Sequence, residues 1–248
     1  MDLYKSLIIV IPVIDEKSNL EILIPKIKLI SNHISIFIID DNSKDGTSEF
    51  LGLIQSKYQN IHYLNRSQRL GIGSAHVEGL NFARQNNFDF CITMDGDQTH
   101  NPDFIPNICT LLGPGNADLV LTSRFMKEGG LINWDLSRII ITYLGHFLTT
   151  LFIGSRKDLT SGMRGYRCGK VPEEMLKILK KSNYEFFPLS FLFYKKSKMR
   201  IAQIPITLPN RFFGHSKITL KLLVRNIYCI VFSKRVISKL KKANIEKN

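Results

Sequence analysis

The sequence predicts an α/β protein built on a doubly wound, mostly parallel sheet, and two patterns in residues 1–125 support that fold class. Apolar runs rich in β-branched residues alternate with amphipathic segments whose apolar residues recur at helical spacing. Because the runs lack the in–out alternation of a half-exposed strand, we expect their strands to be buried on both faces. Strands that alternate regularly with helices indicate a parallel sheet covered by helices on both sides.

Each element of this alternation has a local reason in the sequence. The continuous apolar runs predict strands at residues 7–11, 34–39, 61–64, 88–94 and 117–122, and the helical periods predict helices at 19–30, 47–58, 74–85 and 102–112. Ser18 or Asn19 suits the cap of the first helix and Thr47 that of the second, because their side-chain oxygens accept hydrogen bonds from free helical amides. Pro102 suits the start of the fourth helix, where no backbone donor is needed.

The composition is that of a folded globular protein. Of the 248 residues, 44% are hydrophobic and 10% aromatic, which excludes disordered and low-complexity classes. The length fits one large domain, assigned to residues 1–218, and a basic amphipathic segment at 219–248. The four cysteines form no C-x-x-C pair, so reduced structural thiols in a cytosolic compartment are expected. The first apolar run contains Pro12 and is interpreted as a strand rather than a signal peptide.

The formal net charge of +13 is concentrated near the C-terminus. Residues 1–194 contain 20 basic and 20 acidic residues, whereas residues 195–248 contain the other 14 basic residues and one acid, Glu246. Basic residues flank apolar ones throughout 220–240, which predicts a helix lying on an anionic membrane surface, with a solvated basic tail as the alternative. No nucleic-acid-binding motif accompanies the charge, so no nucleic-acid partner is expected.

A second apolar segment, IIITYLGHFLTTLFI at residues 139–153, is 15 residues long. A helix that spans a bilayer needs about 20 apolar residues, so this segment is too short to be predicted as a membrane span. A helix buried inside the protein is the favoured interpretation. A helix lying in the membrane interface is the alternative.

Polar loops follow the predicted strands, at the edge where doubly wound sheets bind ligands. DDNSKDGT at 40–47 follows the second strand. Its aspartates are able to accept hydrogen bonds from a ribose or a base, and a simple turn with a helix cap is the alternative. LGIGSA at 70–75 opens the third helix, where it either presents backbone amides to a ligand or forms a tight turn.

MDGD at 94–97, at the end of the fourth strand, indicates a metal site. The carboxylates of Asp95 and Asp97 are able to converge on one point, where they repel each other unless a cation lies between them. Oxygen ligands with positions left open for phosphate suit Mg²⁺ or Mn²⁺. Gly96 lets a ligand approach the backbone. The alternative is an exposed acidic turn.

Eight motifs occur in a fixed order along residues 6–217. They are P-x-x-x-E at 12–16, DDNSKDGT at 40–47, LGIGSA at 70–75, MDGD at 94–97, SRF at 123–125, WDL at 134–136, DLTSGMRGY at 158–166 and RFFGHSK at 211–217. The series resembles the polyprenyl-phosphate glycosyltransferases of glycosyltransferase family 2, the group of the dolichyl-phosphate mannosyltransferases. The resemblance implies the GT-A fold, a Rossmann-like doubly wound sheet, here with a C-terminal amphipathic helical extension.

The resemblance also implies a role for each matching residue. Those implied to contact the base and ribose of a nucleotide-sugar, or to lie in its second nucleotide-binding stretch, are Pro12, Ile14, Glu16, Ile39 and Asp41. Those implied to hold a divalent cation or the donor phosphates are Asp95, Gly96, Asp97, Arg124, Arg211 and Lys217. Asp95, Asp97 and Arg124 are the catalytic candidates, and Asp95 and Asp97 are the metal ligands.

The implied activity is inverting transfer of a hexose, with mannose favoured, from a nucleotide-sugar to a polyprenyl phosphate. GDP-mannose is the favoured donor and UDP-glucose the alternative, and the enzyme is expected to be peripheral on the cytoplasmic face of a membrane. A lipid phosphate is already anionic and needs little help from a general base. Asp158 and Arg164 either hold this phosphate or order their own loop.

The chain departs from the family pattern on the side expected to bind the acceptor. Phe187 and Leu189 replace two polar residues, and Thr99 stands where many relatives carry a further metal ligand. Two alternatives therefore stay open. One is a family-2 transferase with a soluble or polysaccharide acceptor, and the other is a catalytically impaired binder of nucleotide-sugars.

Overall fold

The computed structural model describes residues 3–210, 220–233, 235 and 237–238. Within these residues the strands are β1 (Leu7–Val13), β2 (Ser35–Asp40), β3 (Ile61–Asn65), β4 (Phe90–Thr93), β5 (Leu119–Ser123), β6 (Gly130–Ile132), β7 (Arg164–Arg167), β8 (Ile201–Pro205) and β9 (Thr207–Pro209). The helices are α1 (Lys17–Ile30), α2 (Thr47–Lys57), α3 (Ile72–Gln85), α4 (Ile105–Leu112), α5 (Leu136–Ile153), α6 (Glu173–Leu179), α7 (Phe186–Lys196) and α8 (Leu220–Val231). The predicted strands and helices of the first half are confirmed, with boundaries shifted by a few residues.

The central sheet has seven strands in the order β3-β2-β1-β4-β7-β5-β8. Strands β3, β2, β1 and β4 run parallel, as do β5 and β8, while β7 lies antiparallel between β4 and β5. A short parallel pair, β6 with β9, stands beside it. The order reverses on either side of β1, which opens a crevice at the carboxyl edge of the sheet.

Two apolar layers cover the sheet, and β1 explains why the strand sequences are continuously apolar. Its Leu7, Ile9 and Ile11 belong to the layer that includes α1 and α4, whereas Ile8 and Val10 belong to the layer that includes α3, α6 and α7. Both sets are fully buried. A strand covered on both faces favours apolar side chains at successive positions, which explains the continuous apolar run of β1.

Helix α5 packs against α7 and α8, and it joins the layer around α7 only near its C-terminal end, through Leu148 and Ile153. It is long and apolar enough to cross a membrane by length and composition, yet only 11% of it is buried. Only Thr149 and Ile153 of this helix are buried. The buried-helix interpretation of residues 139–153 is therefore wrong, because apolar composition alone does not distinguish a core helix from one that faces outward.

Candidate active site

A first cavity opens at the carboxyl edge of the sheet, where the loops after β1, β2 and β4 meet. Seven of the predicted site residues line it: Pro12, Ile14, Glu16, Asp41, Asp95, Gly96 and Asp97. They come from three separate motifs, and parallel strands bring the motifs together because their carboxyl ends share one edge. The topology therefore assembles most of the predicted nucleotide and metal residues in one place.

The loop after β2 is organised by its aspartates. Asp41 is buried and accepts hydrogen bonds from the backbone amides of Leu70 and Gly71, at 2.9 and 2.8 Å, and from the Arg66 guanidinium at 3.1 Å. Gly71 has a φ of +91°, which glycine adopts without strain. These two amides serve Asp41 and shape the wall of the first cavity. The tight-turn interpretation of LGIGSA therefore holds for its opening residues.

The other two aspartates of this loop hold the turn itself. Asp40 accepts from the backbone and hydroxyl of Ser43, at 3.0 and 2.5 Å, and from the Ser48 hydroxyl at 2.7 Å. Asp45 accepts from the backbone and hydroxyl of Thr47, and these bonds keep the pKa of Asp45 below its ordinary value although burial alone would raise it. The turn interpretation accounts for Asp40 and Asp45, but Thr47 is the first residue of α2 rather than its cap, which is Gly46. Of the three aspartates, Asp41 alone reaches the first cavity.

The loop after β4 presents Asp95 and Asp97 with their orientation already fixed. One Asp97 oxygen accepts from the backbone and the hydroxyl of Thr99, at 3.2 and 2.7 Å. The backbone amide of Asp95 donates to Nδ1 of His100 at 2.8 Å. A Cβ on Gly96 would lie 2.8 Å from Cγ1 of Val13, so only glycine brings this loop so close to β1. The side chains around the two carboxylates act as positioning groups.

The two carboxylates fit a divalent cation. Asp97 is 4% exposed while the Asp95 side chain is 32% exposed, and both face the cavity. Among the described residues no group of three or more His, Cys, Asp or Glu side chains is gathered. Mg²⁺ and Mn²⁺ bind through one or two carboxylates and complete their shell with substrate phosphates and water. The donor set therefore suits a cation that binds together with a diphosphate.

A second cavity, of about 320 Å³, begins on the other side of the same carboxylates. Its walls come from the loops after β4 and β5, from the start of α7, and from the facing sides of α5 and α8, including Ile141, Leu144 and Ile227. Arg124 and Arg138 bring positive charge to this largely apolar space. It therefore suits a ligand with an anionic head and an apolar tail.

Arg124 is held in a buried ion pair. Its Nε and one terminal nitrogen each donate to Asp158 at 2.8 Å, and the same terminal nitrogen donates to the Thr160 hydroxyl at 2.5 Å. Burial alone would raise the pKa of Asp158, but the Arg124 guanidinium and its hydrogen bonds hold that pKa below its ordinary value. Asp158 is therefore ionised and occupied, so it orients Arg124 at the wall of the second cavity.

Arg164 is fully buried and has a structural role. It donates to the carbonyl oxygens of Ser161, Leu159 and Phe187 and to the Ser190 hydroxyl, at 2.8 to 3.0 Å. These bonds tie the loop before β7 to α7. The loop-ordering alternative therefore describes both Asp158 and Arg164, and neither side chain lines the cavity.

Of the predicted site residues that the structure describes, one lies apart from both cavities. Ile39 is fully buried in β2, where it belongs to the core, and its side chain lines neither cavity. Arg211 and Lys217 lie outside the described residues. Several residues that line the cavities were missed, among them Arg69 and Tyr184 in the first and Arg138 in the second. None of these three belongs to a motif, so no sequence pattern marks them.

These features define a class of protein. A doubly wound sheet with one antiparallel strand, and paired carboxylates at its carboxyl edge between two adjoining cavities, describe a GT-A glycosyltransferase. The chain belongs to the family described as Glycosyl transferase family 2, whose sequence profile matches residues 8–173. The predicted family and enzyme class are confirmed.

Curated relatives cover most of the chain. An undecaprenyl-phosphate mannosyltransferase of Micrococcus luteus is 28% identical over 212 residues, which are 85% of this chain and 86% of the relative. A polyprenol monophosphomannose synthase of Mycolicibacterium smegmatis is 24% identical over 215 residues, which are 86% of this chain and 80% of the relative. Both matches extend well beyond the family profile, into the region of the second cavity.

Solved structures confirm the GT-A fold. Glucosyl-3-phosphoglycerate synthase from Mycobacterium tuberculosis, in complex with Mn²⁺, UDP and glucosyl-3-phosphoglycerate, superposes with a TM-score of 0.64 at 19% identity, covering 94% of this chain and 82% of that one. A mannosyltransferase from Pyrobaculum calidifontis, in complex with GDP-Man and Mn²⁺, gives a TM-score of 0.55 at 10% identity, covering 98% and 76%. At these identities the likeness concerns the fold.

Proposed function

We propose that this glycosyltransferase moves mannose from GDP-mannose to a polyprenyl phosphate, with inversion, at a membrane surface. The observation that carries the proposal is the meeting of two unlike cavities at Asp95 and Asp97. The first cavity is small and bordered by polar loops, and the second is larger and mostly apolar. Such a pair suits a nucleotide-sugar on one side and a lipid phosphate on the other, and relatives with these activities match 85% or more of the chain.

The donor half of the proposal rests on the first cavity. Asp95 and Asp97 would hold the divalent cation, which when bound supplies positive charge to the departing nucleoside diphosphate. The fixed loops after β1 and β2 would hold the base and ribose beside Pro12, Ile14 and Glu16. The family resemblance implies that Arg211 and Lys217, which lie outside the described residues, would add charge at the diphosphate.

The acceptor half rests on the charges in the second cavity. The Arg138 guanidinium lies 4.0 Å from the centre of the Trp134 ring and donates to the Asn210 side chain at 2.6 Å, so its position is fixed. Arg124 also lines this cavity, and its position is fixed by Asp158. Two guanidinium groups held in place bring oriented positive charge to the cavity, which suits a phosphate.

The chemistry that follows needs no general base. A phosphate monoester is already anionic near neutral pH, so its oxygen attacks the anomeric carbon without losing a proton. The Asp158 carboxylate is paired with Arg124 and so does not serve as a base. Burial lowers the pKa of His76 to about 3, and this side chain stays neutral inside the core, away from the cavities. Attack from the second cavity on a sugar whose leaving group lies in the first is in line, and in-line displacement inverts the anomeric centre.

The membrane part of the proposal rests on α5 and α8. Large apolar side chains on one face of α5 recur at helical spacing and are exposed: Leu136, Ile140, Tyr143, Phe147 and Leu151. Val224 and Tyr228 of α8 and the following Phe232 are also large, apolar and exposed, and exposed Arg235 adds positive charge after this helix. An apolar face with adjacent cations fits the interface of an anionic membrane. The second cavity lies between these helices, so a lipid phosphate would reach Arg138 without leaving the bilayer.

The cytoplasmic face is the proposed side. The four cysteines are all buried and unpaired. Reduced thiols persist in the cytosol, where glutathione and thioredoxin keep them from forming disulfides. This supports the prediction from composition, and nucleotide-sugar and lipid would then meet at the cytoplasmic leaflet.

The test is a donor and acceptor panel. Purified protein with Mn²⁺ is given GDP-mannose, UDP-glucose or a UDP-N-acetyl sugar, together with a short polyprenyl phosphate, the matching polyprenol or a soluble mannoside. We expect a glycolipid only from the phosphate, best with GDP-mannose, and NMR of the product would report an inverted anomeric centre. Absence of glycolipid with every donor would overturn the proposal, and transfer to the soluble mannoside would favour a glycan acceptor instead.

A further inference from the structure

Tyr184 lies where the two cavities meet. Among the residues that the structure describes, three line both of them, namely Asp95, Asp97 and Tyr184. The aspartates are assigned to the cation and the diphosphate. Tyr184 comes from another part of the chain, the turn between α6 and α7, and its partly buried side chain packs against the core layer beneath. The junction of the cavities therefore has one wall of carboxylates and another that contains an aromatic side chain.

The turn that carries Tyr184 is fixed on its first-cavity side. The backbone amide of Ser74 donates to the carbonyl of Ser182 at 2.9 Å. The glycine-rich loop packs directly on this turn, since a Cβ on Gly73 would lie 2.3 Å from the Asn183 carbonyl oxygen. The loop is in turn held by Asp41 through the amide of Gly71. The turn thus has little freedom to move relative to a nucleotide in the first cavity.

The same turn is fixed on its second-cavity side. Glu185, whose side chain is 4% exposed, forms an ion pair with Arg225 of α8. Helix α8 supplies Asn226, Ile227 and Ile230 to the second cavity. Tyr184 therefore lies between a contact to the glycine-rich loop and a contact to α8, which sets its position relative to both substrates.

We propose that Tyr184 contacts the transferred hexose, orients it between the diphosphate and the acceptor phosphate, and helps to discriminate among hexoses. The inference rests on the proposed function, because it follows from where that reaction places the sugar. If the diphosphate lies at the carboxylates and the acceptor phosphate enters through the second cavity, the hexose occupies the junction. A tyrosine there offers an apolar ring face to the C–H groups of a sugar and a hydroxyl that donates or accepts a hydrogen bond.

The test compares ligands with and without the sugar, and it needs no acceptor. Calorimetric titrations in the presence of Mn²⁺ compare two ligand pairs, GDP with GDP-mannose and UDP with UDP-glucose. The affinities of the variants are then measured for whichever pair the wild-type protein binds. For Tyr184→Ala we expect affinity for the nucleoside diphosphate within about twofold of wild type and a loss of about tenfold for the nucleotide-sugar. Equal losses for both ligands, or no loss for either, would overturn the proposal.

Two further variants sharpen this comparison. Asn183→Ala changes the neighbouring residue, which lines the first cavity but not the second, and should affect both ligands alike. Tyr184→Phe keeps the ring and the packing and removes only the hydroxyl. We expect it to bind the nucleotide-sugar nearly as wild type but to lose selectivity several-fold between hexoses that differ at one hydroxyl. If Tyr184→Phe discriminated between such hexoses as well as the wild-type protein does, the Tyr184 hydroxyl would have no role in discrimination.

The outcomes separate this inference from the proposed function. If wild-type protein makes no glycolipid, the proposed acceptor is wrong, yet the difference between nucleoside diphosphate and nucleotide-sugar binding still decides the role of Tyr184. If glycolipid forms but Tyr184→Ala, shown by circular dichroism to be folded, transfers every hexose at wild-type rates, the role assigned to Tyr184 is wrong while the proposed function stands.

Discussion

The two cavities share Asp95 and Asp97 but are enclosed by different kinds of structure. Short loops at the sheet edge surround the first cavity, and polar contacts such as those of Asp41 and Thr99 hold each loop in place. Helices α5 and α8 surround much of the second, and they expose large apolar side chains on their outer faces. A nucleotide is recognised by fixed polar groups, whereas a lipid tail needs an apolar path to the site. The contrast therefore follows the chemistry of the two proposed substrates.

The largest expected effect comes from the residues that the two cavities share. Asp97→Asn keeps the shape of the side chain and removes the charge that would hold the cation. Because charge stabilisation at the leaving group is lost, we expect kcat for glycolipid formation to fall by about a thousandfold or more. The rate is measured with radiolabelled nucleotide-sugar and a short polyprenyl phosphate in the presence of Mn²⁺.

The matched control is Asp103→Asn, which neutralises an exposed carboxylate on the turn that follows the metal loop. The Asp103→Asn enzyme should retain activity within about twofold of wild type, since substitutions of exposed residues outside the active site and the core have small effects. Both variants should give wild-type circular dichroism spectra. Near-normal transfer by Asp97→Asn would show that this carboxylate does not hold the cation.

A second prediction concerns the wall of the second cavity. Asp158→Asn removes the charge that pairs with Arg124, while both groups remain buried. Breaking a buried ion pair leaves one charge uncompensated, which costs about 3 kcal/mol or more. We expect the free energy of unfolding at pH 7 to fall by about that amount, measured by urea denaturation. Arg200→Gln removes a guanidinium that is 59% exposed from beside Asp118, and we expect it to lower the free energy of unfolding much less, because solvent screens its charge and Arg167 stays beside the carboxylate.

The dependence on pH has a defined sign. Because the folded state holds the pKa of Asp158 below its ordinary value of 3.8, the ion pair contributes its full stability above that value. The contribution is lost as the pH falls from there through the folded-state pKa. The difference in melting temperature between wild type and Asp158→Asn should therefore be constant near neutral pH and shrink below about pH 4. A difference that grew on acidification would contradict the assignment.

The first half of the chain was predictable because its signals are local. Strands such as β1 and β2 are continuous apolar runs, and the loops that follow them carry polar motifs in a topology with one binding edge. Strand β7 gave no such signal, since its sequence is RGYR and one of its arginines is fully buried. Its place between β4 and β5 follows from antiparallel backbone pairing with strands that lie far earlier in the chain, and sequence spacing does not reveal that pairing.

The walls of the second cavity were less predictable for a related reason. Arg138 and Tyr184 come from different helices and turns and meet only in the folded chain. Helix α5 was misjudged because a core helix and a helix exposed to a bilayer have the same apolar composition. What separates them is whether other parts of the protein cover the helix, and that is a property of the tertiary structure.

The smallest expected effect tests the proposal that the exposed apolar faces of α5 and α8 bind the membrane. Phe147 and Leu151 lie one turn apart on α5, and each is 60% exposed. The double variant Phe147→Glu, Leu151→Glu should lower binding to anionic liposomes by about tenfold or more, because two apolar side chains no longer enter the bilayer. Flotation of the protein with liposomes measures the bound fraction, and nucleotide affinity should stay unchanged.

Leu53→Glu is the control from the other half of the molecule. Leu53 on α2 is 72% exposed, more than either residue of the double variant, but it lies on a helix that packs against β3. If exposure alone determined binding, this change would weaken liposome binding at least as much per residue. We expect no measurable loss, because a single exposed leucine on a polar surface does not form a membrane face. Comparable losses in the two variants would contradict the assignment of membrane binding to α5 and α8.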